Sequence, residues 1–510
     1  MVDQDSRTPR GLVATAEAVA RKGRGAVSFP ADRASLDARP VPAWYADAKL
    51  GIFVHWGLYS IPAFAEADAG DFATYMRDLS AGKDTRGRVP YAEWYLNALR
   101  VPGSATARHH EATYGKGFSY FDLQDRFDRD AEQVDFADWA GFFAGTGARY
   151  VVMVTRHLDG YPLWPTRIAN PHMPAGYRSR RDLVGDLTQA VRAQGLRMGL
   201  YYGGGMDWTF TDKPIRTMAD LMSQQALGAE YARYAAAQWT ELIDAYRPSV
   251  LWNDVGWPAG SDPHQLMAHY YDAVDDGVVN DRWTQVQVPG NRLARALYLR
   301  YVTLALKAMA RLGRRLPMPR PDFHYDVETH EYAVPDPAPS RPWELCRGLG
   351  RSFGYDARET AADTLTGAQL VHLLVDVVAH GGNLLVNVGP DGAGRIPEVQ
   401  QRPLRELGAW LERSGEAIYA THPWTPSAAT TNSGQQVRFT RKGATVYAIV
   451  LGDQPTGSLT IRGLRLPAGS RVGLLHGPAD LAWSQADGDL QVTLPPPPGQ
   501  PAHVLRITTS

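Results

Sequence analysis

Polar side chains stand at the ends of several apolar segments of this sequence. The stretch SVLWNDVGWP (249–258) runs from apolar residues into Asp254, between Trp252 and Trp257. A buried core does not tolerate an unpaired carboxylate, although an isolated aspartate after a strand more often caps the next turn. Because the pattern recurs, we favour a functional interpretation of Asp254. The other polar residues in such positions are His55, His157, Asp159, Tyr201 and Arg282.

These residue types suit hydrolysis of a sugar acetal better than other reactions. A metal hydrolase needs clustered ligands, whereas FVHWG (53–57) offers one histidine and the pair His109–His110 is expected in a loop away from strand ends. A serine hydrolase would show a G-x-S-x-G elbow, and GGGMD (203–207) lacks the G-x-G-x-x-G spacing of a dinucleotide site. Glycoside hydrolysis requires two carboxylates flanking an acetal, with polar groups for the hydroxyls and aromatic walls.

Alternating helix-like and strand-like segments would position these residues. The ranges 136–160, 180–208, 234–257 and 367–392 each combine an amphipathic helix, a break and an apolar strand. Parallel strands need such crossovers, so the α/β pattern over residues 41–422 predicts a (β/α)8-type (TIM-like) barrel. Active sites of these barrels form at the carboxyl ends of the strands, where the polar residues named above are expected to meet.

Three segments fall outside this alternation. Residues 1–40 are polar and are expected to be partly loose, and residues 423–510 carry short β-rich runs that predict a C-terminal β-sandwich. The insertion 290–321 has helical Leu, Ala and Arg spacing, a basic face and a proline-rich exit. It could be a lid or a partner surface, but we favour a solvated helix on a barrel loop.

Composition excludes several classes of protein. The 510 residues carry 53 basic and 54 acidic side chains, which predicts neither a nucleic-acid partner nor an anionic membrane. Cys346 is the only cysteine, so an intramolecular disulfide is impossible. The N-terminus lacks the apolar region of a signal peptide, and no apolar run is long enough to span a bilayer. We therefore expect a cytoplasmic enzyme, or a secreted one if a leader has been removed; the oligomeric state is not predictable.

Long motifs, in order from about residue 40 to 425, resemble the retaining α-L-fucosidase family of glycoside hydrolases. The trailing β-sandwich also fits this family. The motifs are WYADAKLGIFVHWGLYSIPA (44–63), AEWY (92–95), GARYVVMVTRHLDGYPLWPT (147–166), RDLVGDL (181–187), LWNDVGWP (251–258), VNDRW (279–283) and GGNLLVNVGPDGAGRIP (381–397).

The resemblance implies an exo-acting enzyme that removes terminal α-L-fucose from a glycan or a small fucoside. Asp254 would be the nucleophile of a double displacement, with no metal or organic cofactor. His55, Glu93, Trp94 and His157 would bind the fucose hydroxyls. Tyr201 and Arg282 would line the floor, and Trp252 and Phe353 would form an apolar wall, Trp252 against the 6-methyl group.

One position departs from the family pattern. The family usually has two adjacent histidines before the aspartate, whereas Leu158 occupies the second position here. A leucine there would remove a hydrogen bond to one sugar hydroxyl. The alternative of a retaining glycosidase that acts on a related sugar, such as an α-L-galactoside, therefore remains open. A non-catalytic sugar-binding relative is the alternative from another class, and the presence of Asp254 argues against it.

The general acid/base is expected in DFHYDVETHEYAVP (322–335), which offers Asp326, Glu328 and Glu331. Alternation along an extended segment places Asp326 and Glu328 on one face and Glu331 on the other, so spacing alone does not choose. THEYAVP resembles a segment of bacterial relatives in which a glutamate precedes a tyrosine, which favours Glu331, then Glu328, then Asp326. The acid/base should lie about 5–5.5 Å from Asp254 and have a raised pKa.

Overall fold

The computed structural model describes residues 28–66, 70, 72–312, 322–452, 457–495 and 499–508. Of the N-terminal segment 1–40, which is predicted to be partly loose, residues 1–27 lie outside the described residues. Its remainder contains a short helix, and the Phe29 amide donates to Asp272 Oδ1 at 2.8 Å. None of the described helices is long and apolar enough to cross a membrane.

Eight parallel strands form the central sheet and confirm the predicted barrel. They lie in the order β5-β4-β3-β2-β1-β8-β7-β6, and a parallel bridge between Asn280 and Val327 joins the two outer strands. The strands are β1 (Leu50–Val54), β2 (Tyr150–Arg156), β3 (Arg197–Gly203), β4 (Val250–Asp254), β5 (Val278–Val279), β6 (Glu328–Glu331), β7 (Trp343–Gly348) and β8 (Asn383–Val388).

The helices surround this sheet and fill the connections between strands. Apolar faces such as that of α8 (Leu183–Ala193), with Leu183, Leu187 and Val191 buried, pack on the strands. The helices are α1 (Arg33–Asp37), α2 (Ala43–Ala48), α3 (Phe72–Ser80), α4 (Tyr95–Leu99), α5 (Ala105–Tyr114), α6 (Gln124–Ala131), α7 (Phe136–Gly145), α8 (Leu183–Ala193), α9 (Met218–Gln224), α10 (Ala229–Tyr246), α11 (Pro263–Ala273), α12 (Arg292–Arg311), α13 (Gly367–Ala379) and α14 (Glu398–Ser414).

The structure corrects one local prediction. His109 and His110 lie in α5 rather than in a loop. His110 is buried, and its two ring nitrogens are satisfied by the Tyr95 hydroxyl and the Phe118 carbonyl, both at 3.0 Å. Among the described residues, no three His, Cys, Asp or Glu side chains are grouped so that they could hold a metal ion.

Two antiparallel sheets follow the barrel and form the β-sandwich. Their inner faces share a core that includes Phe439, Ile461, Val492 and Ile507. The five-stranded sheet has the order β13-β16-β11-β10-β9 and the three-stranded sheet the order β12-β15-β14. The strands are β9 (His422–Thr430), β10 (Gln436–Lys442), β11 (Thr445–Leu451), β12 (Gly457–Ile461), β13 (Arg471–Leu474), β14 (Trp483–Ala486), β15 (Asp489–Leu494) and β16 (Ala502–Thr508).

Candidate active site

Asp254 is the last residue of β4, and its carboxylate receives two hydrogen bonds. Tyr201 Oη donates to Oδ2 and Arg282 Nη1 donates to Oδ1, both at 2.9 Å. The side chain remains 21% exposed. The two donors therefore fix the orientation of the carboxylate while one side of it stays accessible.

The chain turns sharply immediately after Asp254, which presents this side chain at the mouth of the barrel. Val255 has a φ of +59°, a conformation that β-branched residues rarely adopt. The amides of Gly204 and Gly205 donate to the Asp254 carbonyl at 3.1 and 3.2 Å. A Cβ on Gly205 would collide with the Val255 carbonyl. The glycines of GGGMD thus allow the ends of β3 and β4 to approach closely.

Arg282 joins Asp254 to a second carboxylate. Its Nη2 forms an ion pair with Oε1 of Glu331, the last residue of β6, whose side chain is 13% exposed. The guanidinium carbon lies 4.9 Å from the centre of the Trp252 ring. Burial raises the pKa of Glu331, and the charge of Asp254 adds to this effect while Arg282 opposes it. We refer to Asp254, Arg282 and Glu331 as the strand-end cluster.

The other two candidates for the acid/base have different surroundings. Asp326 is buried and accepts hydrogen bonds from Tyr271 Oη at 2.7 Å and from the Val279 amide at 2.9 Å. Oε2 of Glu328 lies 3.7 Å from His330 Nε2. Of the three candidates, Glu331 forms an ion pair with Arg282, the arginine that also binds Asp254.

Histidine and aromatic side chains extend the site from Asp254 toward β1. The rings of Tyr201 and His157 are stacked, with centroids 5.8 Å apart and an interplanar angle of 7°. His157 and His55 are 6.0 Å apart, and His55 is 5.0 Å from Phe353. Burial lowers the pKa of both histidines, to about 4 for His55. Both rings are therefore neutral near pH 7.

The tautomer of His55 follows from its partner. Asn387 Nδ2 donates to the Phe353 carbonyl at 2.6 Å, so its Oδ1 must accept from His55 Nδ1, also at 2.6 Å. Nε2 of His55 consequently carries no proton and can accept a hydrogen bond from a hydroxyl group.

Glu93 and Trp94 lie in the 3₁₀ turn Ala92–Trp94. Oε2 of Glu93 accepts a hydrogen bond from the Gly354 amide at 2.7 Å, which places the carboxylate next to Phe353. Burial raises the pKa of Glu93 to about 7. Trp94 is half-buried and packs edge-on against Trp208, with ring centroids 5.5 Å apart.

Trp252 connects the strand-end cluster to a polar group inside the barrel. Its ring stacks on Tyr201 with centroids 5.4 Å apart, and its Nε1 donates to Glu344 Oε1 at 2.6 Å. Glu344 also accepts hydrogen bonds from Tyr45 Oη at 2.7 Å, and from Tyr150 Oη and Thr329 Oγ1 at 3.2 Å. We refer to Glu344 and these four donors as the interior cluster.

Most of the sequence-predicted residues are thus joined by contacts, with Trp94 connected through its neighbour Glu93. Asp159 is not among them, since its carboxylate accepts a hydrogen bond from Tyr120 Oη at 2.7 Å. Sequence reasoning missed Glu344, Asn387 and Tyr59. Asn387 lies in the quoted motif 381–397 at the end of a strand, so its position was a usable signal. Tyr59 follows HWG, packs 5.6 Å from His157, and has a buried hydroxyl with no hydrogen-bond partner within the described part of the chain.

Leu158, the departure from the family pattern, is 1% exposed. Its Cδ2 lies against the backbone of Gly203, where an added Cβ would be 2.8 Å away. Gly203 pairs in register with Asp254. The leucine therefore packs beside the end of β4.

Comparisons with known proteins agree with this geometry. The α-L-fucosidase family model matches residues 16–298 and 313–416. Human tissue α-L-fucosidase is 28% identical over 503 residues, with 96% of this chain and 93% of the relative covered, and the Branchiostoma floridae α-L-fucosidase is 30% identical, with 89% and 88% covered.

Solved structures give the same result. Thermotoga maritima α-fucosidase in complex with a mechanism-based inhibitor is 39% identical, with a TM-score of 0.78 and coverage of 94% of this chain and 100% of that chain. An α-L-fucosynthase from the same organism, bound to a fucosyl-fucose azide, is 38% identical with a TM-score of 0.80 and the same coverage. The chain belongs to the α-L-fucosidase family of glycoside hydrolases.

Proposed function

We propose that the protein is an exo-acting, retaining α-L-fucosidase that hydrolyses terminal α-L-fucosides of a glycan or a small fucoside. The observation that carries the proposal is the strand-end cluster, in which one guanidinium contacts both Asp254 and Glu331. Retaining enzymes hold their two carboxyl groups about 5–5.5 Å apart and inverting ones about 6.5–9.5 Å apart, and a shared guanidinium keeps both carboxyl groups close enough to flank one glycosidic bond.

In the first step, an Asp254 oxygen attacks the anomeric carbon of the fucoside. The bond to the leaving oxygen breaks as Glu331 transfers its proton to that oxygen, and a glycosyl ester of Asp254 forms. Burial, which raises the pKa of Glu331, supports the protonated form that this step needs. Arg282 stays charged and offsets the negative charge that is shared between the two carboxyl groups.

In the second step, Glu331, now ionised, removes a proton from water. The water oxygen attacks the anomeric carbon, the ester bond to Asp254 breaks, and fucose leaves with its original configuration. Glu331 regains its proton and Asp254 its charge, so the enzyme returns to its starting state.

The surrounding side chains fit the recognition of fucose. Nε2 of His55 can accept from a sugar hydroxyl, because its Nδ1 is occupied by Asn387. The Glu93 carboxylate, positioned by the Gly354 amide, can accept a hydrogen bond from a second hydroxyl of the sugar. Trp252 and Phe353 offer apolar rings for the 6-methyl group. His157 and Trp94 complete the proposed contacts with the hydroxyls, and Tyr201 lines the floor.

The test is hydrolysis of 4-nitrophenyl α-L-fucoside with NMR detection of the sugar released first. Retention predicts α-L-fucose before mutarotation, and initial release of the β-anomer would overturn the mechanism. The matched aryl α-L-galactoside tests the related-sugar alternative, which a higher kcat/KM on the galactoside would favour. Absence of turnover on both substrates would favour the non-catalytic alternative.

A further inference from the structure

Helix α12 carries an apolar stripe on its solvent side. Leu293, Leu297, Tyr301, Leu304 and Leu312 are between 59% and 71% exposed, and they are the exposed large hydrophobic side chains of the described part of the chain. Their spacing of three or four residues within the helix places them along one face, with Leu312 just past its end. Scattered exposed apolar residues are ordinary, but a contiguous stripe on one helix indicates an interaction surface.

Helix α12 is packed against the rest of the protein, so the exposure of the stripe does not result from a helix that lacks tertiary contacts. Leu306, on the opposite face, is buried, and a Cβ on Gly82 would lie 3.1 Å from the Thr303 carbonyl and 3.4 Å from Leu306 Cβ. At the start of α12, the Asn291 side chain accepts from the amides of Leu293 and Ala294 at 2.9 and 3.1 Å. The helix is therefore capped and packed on one face while the other face stays open.

The charge of this segment identifies the chemistry of what would cover the stripe. Residues 290–321 contain eight basic and no acidic residues, in a chain whose net charge is −1. On α12, Arg292, Arg300, Lys307 and Arg311 are exposed beside the apolar residues. Long basic side chains can extend to a charged interface while leucines enter an apolar layer. The balanced charge of the whole chain conceals this local excess.

We propose that the stripe of α12 docks on an anionic lipid surface. A helix of about 30 Å presents one row of side chains, which falls short of the roughly 1,000 Å² that a stable protein interface buries. Antiparallel pairing of two copies would also align their basic edges. A lipid surface avoids both difficulties, because it needs no matching shape and supplies negative charge.

The family model leaves the second part of this segment unmatched. The unmatched residues, 299–312, include Tyr301 and Leu304 of α12 and Leu312 just past its end, whereas Leu293 and Leu297 lie in the matched part. The proposal depends on no step of the proposed reaction.

The test is co-sedimentation of the full chain with vesicles of phosphatidylcholine, with or without phosphatidylglycerol. We expect binding to the anionic vesicles only, weakened by salt. Each cation contributes about fivefold to the partition coefficient. Both Leu297→Ser/Leu304→Ser and Arg300→Glu/Lys307→Glu should therefore bind at least about tenfold more weakly.

The control is Arg233→Glu/Arg402→Glu, which makes the same charge change at exposed positions of α10 and α14. It should bind like the wild type, and all variants should hydrolyse a soluble aryl fucoside equally. Failure of the wild type to bind anionic vesicles, equal binding to neutral ones, or equal loss in the control would overturn the proposal. If light scattering shows a wild-type oligomer that Leu297→Ser/Leu304→Ser dissociates, while vesicles are not bound, the stripe is an interface between copies.

Discussion

The strand-end cluster and the interior cluster meet at Trp252, and both contain carboxyl groups with low solvent exposure. In the interior cluster, Glu344 is 1% exposed and accepts four hydrogen bonds from neutral donors. In the strand-end cluster, Asp254 is 21% exposed and shares its arginine with Glu331. The protein thus fills the hydrogen-bonding capacity of Glu344, whereas one side of Asp254 stays accessible to a substrate. The difference is what we expect if Glu344 positions Trp252 while Asp254 takes the proposed catalytic role.

The largest expected effect is that of Asp254→Ala. Turnover should fall by several orders of magnitude, because the nucleophile is lost, while the free energy of unfolding changes little at a strand end. Kinetics with an aryl α-L-fucoside and urea denaturation measure the two quantities. Azide should restore part of the activity by occupying the vacated space. Activity near that of the wild type would remove Asp254 from the mechanism.

Glu331→Ala is expected to lower kcat/KM by about 10²–10⁴ on substrates with poor leaving groups, which need protonation. Activated aryl fucosides need little protonation and should be affected far less. Glu328→Ala is the matched control on the same strand and should behave like the wild type. If Glu328→Ala shows the selective loss and Glu331→Ala does not, the acid/base is Glu328.

The pH dependence should report the same group. Glu331 must be protonated in the first step, so kcat/KM should fall as pH rises through its raised pKa, which burial moves above the ordinary value of a glutamate. On a fucoside with a poor leaving group, the residual activity of Glu331→Ala should lack this alkaline limb. An unchanged limb in that variant would assign it to another group, such as Glu93, whose pKa burial raises to about 7.

Glu344→Leu should reverse the pattern of Asp254→Ala, with loss of stability as its primary effect. Each buried donor that loses its acceptor costs about 1–3 kcal/mol, and Tyr45, Tyr150 and Trp252 all lose one. Urea denaturation measures this change. Glu344→Gln keeps an acceptor oxygen and should be milder. A stable Glu344→Leu that is catalytically inactive would contradict the distinction between the clusters.

The same two clusters explain which parts of the fold could be predicted from the sequence. Strands β1 to β4 and β8 have continuous apolar runs, and these runs located them. Strand β6 is the sequence ETHE, and β7 carries Glu344 into the barrel, so apolar patterning detects neither. For the site, motifs supplied Asp254 and its neighbours. The contacts of Glu331 and Glu344 depend on strands that are distant in sequence, and no local pattern reports them.

The smallest expected effect is that of Leu158→His, which tests how far the site tolerates change beside Asp254. The leucine is buried against Gly203, which pairs with Asp254, so an imidazole there would need a hydrogen-bond partner in a packed space. If the ring reaches the sugar, the ratio of kcat/KM on aryl α-L-fucoside to that on aryl α-L-galactoside should change, by about fivefold for a hydrogen bond of roughly 1 kcal/mol. Leu158→Met is the matched control, because it keeps an apolar side chain of similar volume and should leave the ratio unchanged. A changed ratio in the histidine variant alone would show that position 158 contributes to sugar preference. Equal ratios in all three proteins, with lower stability only for the histidine variant, would show that Leu158 serves packing, as Glu344 serves positioning, and that it does not contact the substrate.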